Sequence, residues 1–134
     1  MGFTRGRAAG FTLIELMIVM VLMVLLASIV LAVYGNSVAR SREAVLREDL
    51  FQMRKAIDEY YADKSTYPPS LESLVTEGYL RSIPTDPVTG SAETWQTTAS
   101  EFESDNPAAV PGISDVHSGS AETGLDGTAH AEWE

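Results

Sequence analysis

The chain has 134 residues, a formal charge of −10 and no cysteine, which leaves room for one modest core beside one long apolar segment. The acidic balance excludes recognition of a phosphate backbone, and the missing thiols exclude disulfides and thiolate metal sites. A mean hydropathy of zero hides an uneven chain: residues 11–34 are nearly all apolar, while the section after Arg81 carries ten acids and no Lys or Arg.

Residues 1–10 contain Arg5 and Arg7 and no apolar stretch of their own. The hydrophobic stretch follows Gly10 instead of preceding a small-residue cleavage site, so a conventional secretory signal is not expected. From Leu16 to Val33 the only residue that is not hydrophobic is Ser28. At a rise of ~1.5 Å per residue this run makes ~27 Å of helix, close to a bilayer core of ~30 Å. Glu15 stands at its mouth, where an unpaired carboxylate is costly and needs a partner. One reading is a plain anchor with its Arg-bearing end in the cytoplasm. Arg40, Arg42 and Arg47 lie beyond the far end, among Glu43, Glu48 and Asp49, and leave orientation open on charge alone.

Gly10-Phe11-Thr12-Leu13-Ile14-Glu15 resembles the processing site of type IV pilins and of the pseudopilins of type II secretion. The resemblance implies that residues 1–10 are a leader cut after Gly10 by a prepilin peptidase, that Phe11 is then N-methylated, and that Glu15 serves subunit assembly. Residues 11–34 become the membrane span and later the filament core. The chemistry is consistent with this. Cleavage creates an α-amine on Phe11, largely cationic at neutral pH, and takes the side-chain charge from −10 to −12. Glu15 lies one helical turn on, on the same face. In a stack with an axial offset, Glu15 of one subunit meets the amine of its neighbour; the low dielectric strengthens that pair and penalises either partner left alone. A carboxylate snorkelling toward headgroups is the plainer alternative.

Residues 35–64 read as an amphipathic continuation of the helix. Asn36 to Asp63 holds no Pro or Gly, and Leu46, Leu50, Met53, Ile57 and Tyr60 form one narrow apolar stripe. Arg47, Glu48, Arg54, Lys55, Asp58 and Glu59 are expected on a solvated face. A helix from Thr12 to about Asp63 spans ~78 Å. Two heptads fall short of a coiled-coil seam, so the stripe is expected to pack on its own chain. Val24 and Ala32 stand where many relatives carry Gly and Pro, which predicts a straighter helix with Gly35 as its one flexible point near the membrane exit.

Pro68 and Pro69 end that helix, Ser70 caps a short second one, and Gly78 stops it. The run Tyr67-Pro68, Gly78-Tyr79-Leu80 and Ile83-Pro84-Thr85-Asp86-Pro87 is similar to the region after the long helix in major pseudopilins, which points within the superfamily toward type II secretion. Thr94–Thr98 and Ile113–His117 favour strands, with breakers at Asn106-Pro107 and Pro111-Gly112 and with Trp95 and Trp133 as core anchors. The expected fold is α+β and pilin-like. A long N-terminal helix, transmembrane in its first half, packs against a small C-terminal antiparallel β-sheet within a periplasmic region of residues 65–134.

So thin a core invites a metal staple. Asp115 to Gly127 resembles in position and composition the calcium-binding loop of major pseudopilins, and Asp115, Glu122 and Asp126 are its candidate ligands. The spacing is not that of an EF-hand, and the family's adjacent acidic pair is missing after Asp126, so a plain Gly/Ser loop stays the alternative. His117 and His130 read as surface residues, and the acidic section as solvated surface. No nucleophile elbow, P-loop or dinucleotide fingerprint occurs, and nothing supports catalysis.

The resemblance therefore implies a structural subunit of a pseudopilus, assembled from the bacterial inner membrane into the periplasm, that drives protein secretion across the outer membrane. Its implied partners are further copies of itself, the prepilin peptidase, minor pseudopilins, an assembly platform with its ATPase, and membrane lipid before assembly. Nucleic acid is not among them. The alternatives are a type IV pilin for adhesion, motility or DNA uptake, and a binding module or enzyme on a plain anchor.

Overall fold

A computed structural model describes residue 2, residues 10–101 and residues 111–134; most of the expected leader and the Asn106-Pro107 breaker lie outside the described residues. The elements are α1 (Leu13–Lys64), α2 (Leu71–Thr76), β1 (Gln96–Ala99), β2 (Ile113–His117) and a closing 3-10 turn at His130–Glu132. They fall into two compact units divided between Val38 and Ala39.

The first unit is the apolar part of α1. Large side chains from Leu13 to Tyr34 are 50–76% exposed all round, as expected of a helix whose solvent is lipid or other helices. Ser28, the lone polar residue of the run, donates its hydroxyl to the Val24 carbonyl at 2.8 Å and so offers lipid no free donor. Ser37 does the same to Val33 at 2.9 Å. The helix continues through Gly35 without a break.

The second unit is built on the predicted stripe. Leu46, Leu50, Met53, Ile57 and Tyr60 are all buried, joined by Ala56, and they pack with Leu71 and Leu74 of α2 and with Trp95, Val116 and Trp133. Ser65 stops α1 by turning left-handed (φ 55°), its amide donating to the Tyr61 carbonyl at 2.8 Å, ahead of the two prolines. Ser70 then caps α2, its hydroxyl accepting from the Ser73 amide at 3.3 Å. Gly78 leaves α2 at φ 84°, a conformation cheap only for glycine. Two contacts staple α2 and its exit to the end of α1. Lys64 meets Glu77, a hydrogen bond that raises the ammonium pKa, and the Tyr79 hydroxyl donates to Asp63 at 2.8 Å, which raises the phenol pKa.

β1 and β2 pair antiparallel, with Gln96 opposite His117, Thr97 opposite Val116 and Thr98 opposite Asp115, and an irregularity before Ala99. The sheet is small and meets the stripe through β2, with Val116 fully buried and Ile113 partly buried against the same core; all four β1 residues are exposed. Trp95, expected within the strand, precedes it. Its indole N–H donates to the Pro84 carbonyl at 2.8 Å, which holds the ring in the core while the strand starts one residue later. Gly119 shows how closely these segments cross: a Cβ there would lie 2.0 Å from the Thr94 carbonyl oxygen.

Two expectations for the acidic section need correction. Asp86 is fully buried, not solvated. Its carboxyl accepts from the Val88 and Thr89 amides at 2.8 and 3.3 Å and from the Ser118 hydroxyl at 2.5 Å, so the Pro84–Gly90 turn and the Ser118 turn are tied through one acid. His130 is likewise buried, edge-on to Trp133, and not a surface residue.

Asp49 on α1 bears the cost of this arrangement. Its own burial, then the facing Asp86 carboxyl and Glu48, raise its pKa above 3.8. A carboxyl raised in the folded state contributes stability below its unfolded pKa and loses it as pH rises through the folded value. Asp49→Asn is therefore expected to raise the melting temperature at pH 7 and to bring no gain once pH falls below the ordinary carboxylate range. Melting curves of both chains at several pH values measure this.

Candidate functional site

The chain carries two candidate sites, one at the start of α1 and one in the C-terminal loop. At the first, Gly10, Phe11 and Thr12 are exposed and outside any helix, so the Gly10–Phe11 peptide bond lies in irregular backbone just ahead of the first helical turn. A protease needs such backbone, because a helical bond cannot be laid extended across an active site. Phe11 is 92% exposed.

Glu15 is held by its own chain. The Thr12 amide donates to Glu15 Oε2 at 3.1 Å, and the Glu15 amide donates back to Thr12 Oγ1 at 3.2 Å. This is a reciprocal capping box: two amides without helical partners are satisfied, and a carboxylate sits at the positive end of the helix dipole. The sequence reading weighed Glu15 as the partner of an amine or as a carboxylate snorkelling toward headgroups. It missed Thr12, although the signal Thr12-x-x-Glu15 is the ordinary one for such a cap. The site thus holds, within one turn, a cleavable bond, the residue whose amine cleavage would free, and a carboxylate parked on a neutral cap. A carboxylate capped in this way has a hydrogen-bond partner on its own chain at the mouth of the apolar run.

At the second site the three candidate metal ligands do not converge. Asp115 is a strand residue whose Oδ1 accepts from Arg54 Nε at 2.8 Å, with His117 3.3 Å from its other oxygen. Asp126 accepts from the Thr128 hydroxyl at 2.7 Å and amide at 3.0 Å, and lies 3.2 Å from Arg47. Those Thr128 hydrogen bonds, with Arg47 adding to them, hold the Asp126 carboxyl below its ordinary pKa. Glu122 is exposed, and its backbone carbonyl accepts from the His130 amide at 3.1 Å. Among the described residues no three His, Asp or Glu side chains gather where one ion could reach them. Calcium takes six to eight oxygens, and two of these three carboxylates already serve arginines, so the predicted set does not fit the ion.

Side chains of α1 hold the loop instead. Glu43 accepts from the Leu125 amide at 2.6 Å and lies 3.6 Å from His130 Nε2. Arg47 pairs with Asp126 and stacks on the Trp133 ring, 4.4 Å from its centroid. Arg54 reaches furthest: besides Asp115 it donates to the Val116 carbonyl at 3.0 Å and to the Trp133 carbonyl at 2.7 Å. Arg47 and Arg54 were expected on a solvated face. They clamp the C-terminal segment to the helix because that segment returns alongside the apolar stripe.

Comparison with known proteins bears on the first site. Residues 5–31 match the family model described as the prokaryotic N-terminal methylation motif, which brackets Gly10, Phe11 and Glu15. The chain is 35% identical over 100 residues to the type II secretion system core protein G of Klebsiella michiganensis, covering 62% of this chain and 70% of the relative. It is 31% identical over 99 residues to the protein of the same name in Pseudomonas aeruginosa, covering 62% and 70%. The fimbrial protein EcpC of Eikenella corrodens is 44% identical over 79 residues, covering 55% of this chain and 52% of the relative. No solved structure matches. The methylation motif and the identity across 70% of a full relative together assign the chain: it belongs to the family of type II secretion system core protein G.

Proposed function

We propose that this chain is a structural subunit of a pseudopilus that drives protein secretion across the outer membrane. The single observation that carries the reading is the first turn of α1. An exposed Gly10–Phe11 bond stands directly before a capped Glu15, and an apolar helix long enough to cross a bilayer follows. Membrane insertion holds the chain until a prepilin peptidase removes the leader, with residues 35–134 on the periplasmic side. An assembly platform and its ATPase then lift subunits out, minor pseudopilins start the fibre, and membrane lipid is exchanged for neighbouring copies of α1. Phe11 receives the N-methyl group, Glu15 sets the step between copies, and the chain itself catalyses nothing.

The fimbrial relative leaves one alternative to test, a type IV pilin subunit, which the several type II secretion relatives do not favour. Mass spectrometry of the chain extracted from membranes tests what both readings share: an N-methylated Phe11 terminus is expected, and an intact Met1 terminus contradicts both. Deletion of the chain then separates them. Loss of a secreted protein with no change in surface fibres supports the pseudopilus, and loss of long surface fibres supports the pilus.

A further inference from the structure

Four cations of the second unit are matched by acids of the same chain: Arg47 by Asp126, Arg54 by Asp115, Lys55 by Glu59 and Lys64 by Glu77. Arg40 and Arg42 are not. Both are exposed, and among the described residues neither has an ion pair. The helix itself denies them partners. One turn from Arg42 stand Val38, Ala39, Val45 and Leu46, all apolar. The only acid one turn from Arg40 is Glu43, whose carboxylate already accepts from the Leu125 amide and faces His130. Their place on α1 is particular. The apolar run closes at Val33 and Tyr34, and Tyr34 is an exposed residue of the kind that marks a bilayer surface. Arg40 follows six residues later along α1, a rise of ~9 Å, beside a headgroup layer ~5–8 Å thick. Helical side chains lean toward the N-terminus of their helix, here toward the run, so a long arginine stem carries its guanidinium back into that layer.

We propose that Arg40 and Arg42 form a collar that binds the phosphates of anionic phospholipids around the membrane exit of α1. The partner is a lipid surface for reasons of geometry and of chemistry. The two arginines lie about 200° apart around the helix. A protein seated on one side would meet one of them, whereas headgroups ring the helix and meet both. A guanidinium takes a phosphate through two parallel hydrogen bonds, and a headgroup with no ammonium of its own leaves that phosphate uncontested. The proposal rests on the membrane-spanning part of the reading above and not on filament assembly.

The chain has no cysteine, so Asn36→Cys, exposed and one turn before Arg40, gives a single position for a fluorophore. The full chain labelled there is placed in phosphatidylcholine vesicles that carry a minor share of lipid spin-labelled near the top of its acyl chain. That lipid is either phosphatidylglycerol or phosphatidylcholine. Phosphatidylglycerol is expected to quench as though enriched about fivefold beside the label, against the repulsion of a chain with a net charge of −10. Arg40→Gln/Arg42→Gln is expected to abolish the enrichment. Arg81→Gln, which removes an exposed cation remote from the run in sequence, is expected to leave it. Equal quenching by the two lipids, enrichment that survives the double substitution, or its equal loss with Arg81→Gln each overturns the proposal. Loss of filaments from the double variant without any lipid enrichment in the parent chain overturns it as well, and assigns the arginines to a neighbouring copy. A label that neither lipid quenches removes the membrane span together with the collar.

Discussion

Glu15→Gln chains are expected to insert, to be cleaved after Gly10 and to be N-methylated, yet to yield at least tenfold fewer filaments. Glutamine is the informative replacement because of the capping box. A Gln at this position still accepts from the Thr12 amide, so the helix start is preserved, and only the charge is lost. Glu15→Ala removes both, and loss of a cap costs about 1 kcal/mol by itself. What remains in the Gln variant is a buried α-amine without its counter-charge. Breaking a buried pair on one side costs about 3–5 kcal/mol, which is roughly a hundredfold or more per added subunit. The yield of sheared filaments against the amount of cleaved, membrane-bound chain reads this out. Normal yield from Glu15→Gln would mean that the carboxylate only caps its helix.

The second large effect is expected at Arg54. Its side chain is about three-quarters buried, and the guanidinium makes charge-assisted bonds to Asp115, the Val116 carbonyl and the Trp133 carbonyl. Arg54→Ala takes the Arg54 donor from two backbone carbonyls and from Asp115, which keeps the Val116 amide at 2.7 Å, at a cost of about 2–4 kcal/mol. For a unit of this size that lowers the melting temperature by roughly 10–20 °C. Arg54→Lys keeps the charge but lacks the planar fork that serves several acceptors at once, so it recovers only part of the loss. The chain's two tryptophans, Trp95 and Trp133, both lie in this core, so their fluorescence reports its opening without a label. Arg47→Ala gives the contrast. Its pair with Asp126 is solvent-exposed on both sides, so its removal is expected to lower the melting temperature far less than that of Arg54.

What the sequence made legible follows from periodicity. The all-round apolar run and the Leu46–Tyr60 stripe are local patterns with a helical repeat, and each residue of the stripe is buried as its position required. Ser70, Gly78 and strand β2 were legible for the same reason, since caps and turns are decided by their neighbours. The polar face of α1 was not. Whether Glu43, Arg47 and Arg54 face water or hold the chain depends on segments that return 61 to 82 residues later. No window of local sequence contains that information. Asp86 misled in a related way. An acid before Pro87 in an acidic section reads as surface, but its amide and hydroxyl donors come from the following turn and from Ser118, 32 residues on. At the first site the pattern Thr12-x-x-Glu15 is itself a local capping signal, so the hydrogen bonds of Glu15 were legible in the sequence.

The capping box also clarifies how a carboxylate tolerates the mouth of an apolar run. On the proposed reading, cap and ion pair would be successive partners for one side chain: the first present in the lone subunit, the second available only after proteolysis creates an amine and assembly brings a neighbour. A structure of the assembled filament at side-chain resolution tests that sequence most directly. A Glu15 carboxylate oxygen is expected within about 4 Å of the Phe11 nitrogen of another copy, in each repeat of the fibre. A Glu15 that keeps only its Thr12 contacts, or that faces water with no neighbouring amine in reach, would contradict it.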